Sequence, residues 1–226
     1  SHAFAHIIYK GLLFMAMGAV LFRTGTIKAD RLGGLYKSMP VTTVCCIIGS
    51  LSIAGFPLFS GFVTKSLTLS AAFDLNAGWL FVGLLIASAG VVDHSGIKIP
   101  FFAFFAHDNG WRVKRAPLNM QVAMILAAGL CIFLGVYPQP LYDILPFDMN
   151  RAYGGEWHNF TGWHVMTSLQ LLLFAALAFV LLYRAKLYPP ELPSVNIDTD
   201  IVYRKWAPAV LRRVGASLLE LYDIFC

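Results

Sequence analysis

The sequence predicts an all-α integral membrane protein with about five transmembrane helices, one of them broken, and a C-terminal amphipathic helical tail. Of its 226 residues, 58% are apolar and only 13% are charged, a composition typical of membrane proteins rather than soluble domains. Several apolar runs reach the roughly 20 residues that a helix needs to cross about 30 Å of hydrocarbon. The sequence therefore places the chain in the bilayer.

Five spans organise a predicted transmembrane domain over residues 1–188, at about 3–22, 40–75, 78–105, 117–137 and 162–183. The second span is too long for one straight helix and contains "AGFPLFSG". Pro57 has no amide donor and its ring clashes with the preceding turn, while Gly55 and Gly61 loosen the same region. We therefore predict a helix break near Pro57.

Basic residues orient the predicted spans, because Lys and Arg accumulate in cytoplasmic loops. Of the 14 basic residues outside the spans, 13 fall on one side and only Arg151 falls on the other. We expect a multi-pass protein of the cell inner membrane with its basic loops and C terminus in the cytoplasm. Orientation explains the net charge of +5, so nucleic acid is not expected as a partner.

Residues 189–226 form a predicted tail in which a Pro-bearing connector precedes interleaved apolar and basic residues. This pattern predicts an amphipathic helix at the cytoplasmic interface or docked on a partner, with a solvated helix as the alternative. The chain starts at Ser1 without a charged leader, and we expect it to be part of something longer. Its four cysteines show no metal-ligand spacing and predict no disulfide framework.

Three protonatable residues recur at every fourth position of the first span. His2, His6 and Lys10 share one helical face, because steps of four drift only about 40° each. A charge near the bilayer centre costs on the order of 3 kcal/mol, so such residues usually face protein or water and serve transport. A snorkelling Lys10 and an interfacial His2 are the alternatives.

Lys65 follows the predicted break by two turns. A broken helix frees backbone carbonyls and is tolerated in a membrane only where they line a cavity, bind an ion or pack against protein. A desolvated lysine beside such a break can load and release a proton. The alternative is a kinked packing helix whose lysine simply bonds to the free carbonyls.

The third span carries Asp93, His94 and Lys98 in "VVDHSGIKIPFF". At α-helical spacing His94 and Lys98 share a face and Asp93 points elsewhere, although a snorkelling Lys98 or a satisfied core His94 remains open. Three spans with protonatable residues at mid-depth together predict a proton relay. Since no catalytic triad, phosphate loop or zinc motif occurs in the sequence, we predict neither a bond-making site nor a cofactor.

Two segments, "HAFAHIIYKGLLFMAMGAVLF" and "SLSIAGFPLFSGFVTKS", resemble the second half of the antiporter-like subunits shared by respiratory complex I and the multisubunit cation/proton antiporters. The later "HSGIKIPFFAFFAHDNG", "APLNMQVAMILAAGLCIFLGVYPQPLYDILP" and "NIDTDIVYRKW" are more similar to the D-type antiporter subunits. The resemblance extends over essentially the whole chain and is most specific in its first hundred residues.

The resemblance implies inverted five-helix repeats, each with a lysine on a broken helix, joined by a hydrated polar axis. His6 and Lys10 match the central His and Lys of the connecting helix, and Lys65 matches the lysine of the second broken helix. His94 and Lys98 match polar positions of the next helix, while Asp93 has no matching role. The first repeat and its Glu–Lys pair are missing from this sequence, so we expect it to be the C-terminal part of a longer subunit, with a missing half on a separate chain as the alternative.

The predicted function is proton translocation within a multisubunit respiratory or antiporter complex, with other membrane subunits and lipid as partners. Whether sodium also moves, and whether a redox reaction or an ion gradient drives transport, is open at this point. One alternative is a transport-inactive membrane scaffold. A haem-bearing membrane anchor is another, with His2, His6, His94 and His164 as candidate ligands.

Overall fold

The computed structural model describes residues 1–146, 158–188 and 199–225, with side chains described as far as residue 217. Arg151, Cys226 and the connector residues 189–198 lie outside the described residues. Every extended regular element among the described residues is a helix, which confirms the all-α fold class. The helices are α1 (His2–Thr24), α2 (Pro40–Ala54), α3 (Ser60–Asp74), α4 (Gly78–Phe105), α5 (Leu118–Val136), the short α6 (Gln139–Tyr142), α7 (Gly162–Arg184) and α8 (Ala207–Phe225).

Helices α1, α4, α5 and α7 are each long and apolar enough to cross a membrane, and they are the four such helices in the described ranges. Helices α2 and α3 have 15 residues each, so neither is long enough to cross alone. Together they form the predicted broken span. The chain is therefore a multi-pass membrane protein.

The α1 helix lies at the centre of the first compact unit, where it packs against α2, α3 and α5. It buries Tyr9, Leu12, Ala16 and Val20, which recur every three or four residues on one side. Within a bilayer such contacts rest on van der Waals packing, which small residues improve by letting helices approach closely. Gly49 of α2 serves this purpose, since a Cβ there would lie 3.2 Å from the Leu13 side chain.

The helix break lies between Ala54 and Ser60, which confirms the broken helix expected around Pro57. Gly55 ends α2 with a left-handed φ of 85°, a conformation that few side chains allow. Gly61 lies inside α3 and has a different purpose from the loosening that the sequence suggested. A Cβ at Gly61 would overlap the carbonyl oxygen of Ser52, so glycine allows the two half-helices to pack backbone to backbone.

The α4 helix is wound as a π-helix over Val92–Lys98 and again over Phe101–Phe105. Gly96 lies in the first π segment, where a Cβ would meet that of Ala54 at 3.3 Å, so this turn packs closely on α2. Hydrogen bonds in a π-helix join residues five apart, which makes Asp93 and Lys98 neighbours along the ladder. The α-helical winding assumed for Asp93, His94 and Lys98 is therefore replaced by π-helical winding, and the direction of the Asp93 side chain relative to Lys98 stays a prediction.

Residues 106–117 form an irregular strap between α4 and α5, held to the loop between α1 and α2. Lys37 Nζ and Arg112 Nη2 each contact Asp108 Oδ2, at 2.8 and 2.9 Å. Asn109 donates to the carbonyl of Leu32 and Trp111 donates to that of Arg31, both at 2.7 Å. The hydrogen bonds from Arg112 and Lys37 hold the pKa of Asp108 well below its usual range.

The second compact unit, described by itself, contains a π-helical turn over Val202–Trp206 that leads into α8. Asp200 pairs with Arg204 at 3.2 Å. Val210, Leu211 and Val214 are at least half exposed on this unit. They lie at helical spacing and form an apolar face, with Arg212 on the opposite side and Arg213 at its border.

Candidate functional site

The ammonium group of Lys65 lies directly against the helix break. Its Nζ donates to the carbonyl of Ile53 at 2.7 Å and to that of Ala54 at 3.2 Å. It donates a third hydrogen bond to the Ser88 hydroxyl of α4 at 3.1 Å. Three donors therefore meet three acceptors, and all three acceptors are uncharged.

The break supplies two of these acceptors. The amides of Gly55 and Phe56 bond back to Leu51 and Ser52, so the last two carbonyls of α2 are left for Lys65. A cation at this position also suits the negative end of the α2 dipole. Glycine at position 55 gives the lysine room, since a Cβ there would lie 3.1 Å from Lys65 Cδ.

A cavity of about 200 Å³ opens beside Lys65 between α1, α3 and α4. At about 30 Å³ for each molecule, it can hold several waters. Most of its wall is apolar and comes from side chains of α3 and α4, while Lys65, Ser88, Thr68 and His2 supply the polar groups. The cavity thus joins the first and second predicted proton-binding spans.

His2 is tied to α3 next to Lys65. Its Nδ1 lies 3.0 Å from the hydroxyl oxygen of Thr64, which is fully buried. The Thr64 hydroxyl has the carbonyl of Ser60 at 3.2 Å as its own acceptor, so its oxygen is free to accept from His2. The hydrogen bond keeps the imidazole at the cavity wall.

The remaining predicted relay residues do not line this cavity. The His6 ring is exposed, 6.1 Å from the His2 ring and 5.2 Å from that of Tyr9. Lys10 is half-buried one turn further along α1. The structure therefore brings His2 and Lys65 together, with His6 following His2 along α1.

The charged residues of α4 lie further along that helix. His94 is exposed, and the Lys98 ammonium lies 5.6 Å from the centre of the Tyr188 ring. One carboxylate oxygen of Asp93 is buried and has no hydrogen-bond partner among the described residues. These three residues share the π-helical segment rather than the cavity beside Lys65.

Sequence reasoning missed Ser88 and Thr64, the two hydroxyl residues that contact Lys65 and His2. Both are neutral, and a single Ser or Thr in an apolar helix commonly bonds to its own backbone. Ser88 stands in "LIASAG" without any distinguishing neighbour. Only its position opposite the break, a tertiary feature, gives it significance.

Comparison with known proteins supports the resemblance seen in the sequence. Residues 1–91 match the family described as "NADH:quinone oxidoreductase/Mrp antiporter, TM". Hydrogenase-4 component B of Escherichia coli (strain K12) is 30% identical over 147 residues, which are 60% of this chain and 22% of that protein. An Na(+)/H(+) antiporter subunit of Alkalihalophilus pseudofirmus is 32% identical over 158 residues, 64% of this chain and 20% of that protein.

NADH-ubiquinone oxidoreductase chain 5 of Phytophthora infestans is 33% identical over 168 residues, 70% of this chain and 25% of that protein. A chain in the structure of the Mrp complex from Dietzia sp. DQ12-45-1b has a TM-score of 0.55 and 23% identity, over 61% of this chain and 34% of that chain. This last similarity concerns the fold alone. The chain spans about a fifth to a quarter of the length of these curated relatives.

These matches confirm the recognition of an antiporter-like membrane sequence related to Mrp and complex I proteins. None of these relatives bears the name of a D-type subunit. The assignment to that branch therefore stays a prediction.

Proposed function

We propose that this chain, whose first 91 residues match the antiporter transmembrane family, is the C-terminal part of a proton-translocating membrane subunit in which Lys65 binds and releases the transported proton. The observation that carries the proposal is the bonding of Lys65 to two carbonyls freed at the helix break, beside a cavity large enough for water. Uncharged acceptors stabilise the ammonium without a fixed counter-charge to retain the proton.

In this mechanism, water in the cavity carries the proton between Lys65 and His2, the other protonatable side chain of the cavity wall. From His2 the route continues along α1 to His6 and Lys10, which recur at the same helical spacing. A proton on one site disfavours charge on the next, so the sites empty and fill in sequence. Asp93, His94 and Lys98 extend the route along α4.

The partners in this proposal are other membrane subunits of a multisubunit complex, because the related Na(+)/H(+) antiporter and NADH-ubiquinone oxidoreductase proteins carry subunit or chain names. Protons are the transported ions, with sodium an additional cation to be tested. We place the chain in the inner membrane with its basic loops in the cytoplasm, as the charge asymmetry favours.

We further propose that the tail lies on the cytoplasmic membrane surface. Its exposed apolar face would enter the headgroup region while Arg212 and Arg213 contact lipid phosphates. A polarity-sensitive label at Leu211 should then be shielded from a water-soluble quencher in vesicles, and a label at Arg212 should be accessible. Equal quenching at both positions would indicate a solvated helix instead.

The test of the proposed function is proton uptake by vesicles containing the full-length protein in its native assembly. Lys65→Ala and Lys10→Ala should each abolish most translocation while the complex remains assembled. Lys37→Ala is the matched control, because its ammonium bonds to a carboxylate in the strap region. Unchanged uptake in the Lys65 variant would contradict the relay and favour the scaffold alternative.

A further inference from the structure

We infer that the Ser88 hydroxyl is a reversible hydrogen-bond partner that keeps Lys65 fully bonded in both of its protonation states. Ser88 would be a positioning residue for proton transfer, acting through Lys65. The inference rests on the proposed function of Lys65 in proton transfer and adds a role for α4 that charge patterns do not reveal.

The donors and acceptors around Lys65 lead to this role. As an ammonium, Nζ has three N–H donors, and these match the carbonyls of Ile53 and Ala54 and the hydroxyl oxygen of Ser88. As a neutral amine, Nζ has two N–H donors and one lone pair, which needs a donor. Both carbonyls can only accept, whereas a serine hydroxyl can either accept or donate.

The two bonding patterns therefore differ only in the direction of one hydrogen bond. When Lys65 is charged, Ser88 accepts from Nζ and its own O–H can point into the cavity that Ser88 also lines. When the proton leaves, the two N–H groups stay on the carbonyls and the Ser88 O–H turns to the amine lone pair. No heavy atom has to move.

Without the hydroxyl, each state of Lys65 would lose a bond in a half-buried site. The ammonium would lose more stabilising free energy than the neutral amine, because hydrogen bonds from an ionised donor are roughly twice as strong as neutral ones. Removal of the hydroxyl should therefore slow transfer and favour release of the proton at lower pH.

The pH dependence of transfer could also reflect other titratable groups near Lys65, and among the described residues His2 is the other one that lines the cavity. His2 shares the cavity with Lys65, and Thr64 holds it in place. Further groups are Asp74 of α3 itself, His6, Tyr9 and Lys10 of α1, Cys45 and Cys46 of α2, Asp93, His94 and Lys98 of α4, Cys131 of α5, and His164 of α7, which lies 3.3 Å from the Ser70 hydroxyl of α3. None of this second set lines the cavity.

The experiment is a pH profile of proton uptake from about pH 6 to 9 in vesicles with the full-length protein in its native assembly. Ser88→Ala should lower the maximal rate about tenfold, a loss of about 1.4 kcal/mol in transition-state stabilisation, and should move the profile to lower pH. Ser88→Thr keeps a hydroxyl and should retain the profile and most of the rate. Ser95→Ala, which removes another hydroxyl from α4 away from the cavity, is the control.

Two outcomes would overturn the inference. A Ser88→Ala profile that matches the Ser95→Ala profile would mean that water replaces the hydroxyl without cost. Equal loss in the Thr and Ala variants, with lower thermal stability in both, would indicate a packing role. Lys65→Ala, measured in parallel, distinguishes failure of the Ser88 inference from failure of the proposed function. A fully active Lys65 variant would contradict the proposed function itself.

Discussion

Lys65 and Lys37 show two ways in which this protein bonds an ammonium group. Lys37 contacts the Asp108 carboxylate at 2.8 Å in the exposed strap region, where Arg112 binds the same carboxylate. Lys65 is half-buried at the helix break and contacts two carbonyls and one hydroxyl. The first lysine has a charged partner, and the second has neutral partners only.

The difference shows how bonding partners decide what a lysine can do. A carboxylate favours the charged state of its partner, so Lys37 is suited to fixing its loop to the strap. Three neutral acceptors can satisfy the hydrogen bonds of the charged ammonium. When one of them is a hydroxyl, it can donate to the neutral amine instead, so the deprotonated lysine keeps the same number of hydrogen bonds. A lysine of the second kind is suited to exchanging protons.

The largest expected effect concerns the packing that holds the break in place. A Cβ at Gly135 of α5 would overlap the backbone of Leu58 and Phe59, so Gly135→Ala should destabilise the fold by about 3 kcal/mol. Gly129→Ala, in the same helix with open space around it, should have no comparable effect. Thermal unfolding of the detergent-solubilised protein would measure both, and equal unfolding temperatures would show that the contact is not required.

A carboxylate placed beside Lys65 would give this lysine a charged partner, as Asp108 is for Lys37. Ser88→Asp should retain the proton on Lys65 and lower proton uptake at pH 7 by more than about tenfold. Activity should recover partly at higher pH, because release of the proton then becomes favourable. An unshifted pH profile in vesicle assays would contradict the distinction between charged and neutral partners.

A smaller effect is expected where Thr64 fixes His2. Thr64→Val keeps the side-chain shape but removes the oxygen 3.0 Å from His2 Nδ1, and we expect a decrease in proton uptake of about threefold, or roughly 0.7 kcal/mol. Thr43→Val is the matched control, since its buried hydroxyl bonds to the carbonyl of Met39, one turn earlier in the chain, and to no other group in the described part of the structure. If the two variants transport equally, the His2 contact has no part in transfer.

The smallest effect is expected in the strap. Asp108→Asn should slightly lower the unfolding temperature at neutral pH, because the carboxylate accepts from both Lys37 and Arg112. Its depressed pKa makes this stabilisation fully present above about pH 4, the range of an unfolded carboxyl, and lost as the pH falls further toward the folded-state pKa. Unfolding curves of both proteins should therefore differ by a constant amount at pH 5–8 and converge below about pH 4.

Asp143→Asn is the control for that comparison, because the Asp143 carboxylate accepts from the neutral amide of Gln139 at 2.9 Å. It should show no comparable convergence at low pH. A gap between wild type and Asp108→Asn that persists unchanged to pH 3 would show that the ion pairs do not stabilise the fold.

The sequence predicted those features that depend on local signals. Long apolar runs and Pro57 were sufficient for the all-α membrane fold and its broken helix, and Lys65 could be singled out because charge is rare in such runs. The purpose of Gly61 could not be predicted, since it depends on the distance to Ser52 in another helix. The π-helical winding of α4 could not be predicted, because nothing in "VVDHSGIKIPFF" signals it.

The site was predictable only in part for a related reason. His2 and Lys65 stood out as protonatable groups, but their meeting at one cavity depends on how α1 packs against α3. Ser88 carries no charge and therefore no signal of its own. A neutral hydroxyl that bonds to a charged residue of another helix can be identified only from the three-dimensional structure.

The close contact between α5 and the helix break affects which motions can accompany proton transfer, and how fast they are. Leu58 holds a left-handed φ of 73° within the break, and Gly135 lies against its carbonyl, so the non-helical turn is wedged in one conformation. Hinge motions of helices take microseconds to milliseconds, whereas exposed side-chain rotations take picoseconds to nanoseconds. With its backbone held fixed, the break would leave only the fast rotations of hydroxyls and water to accompany each proton.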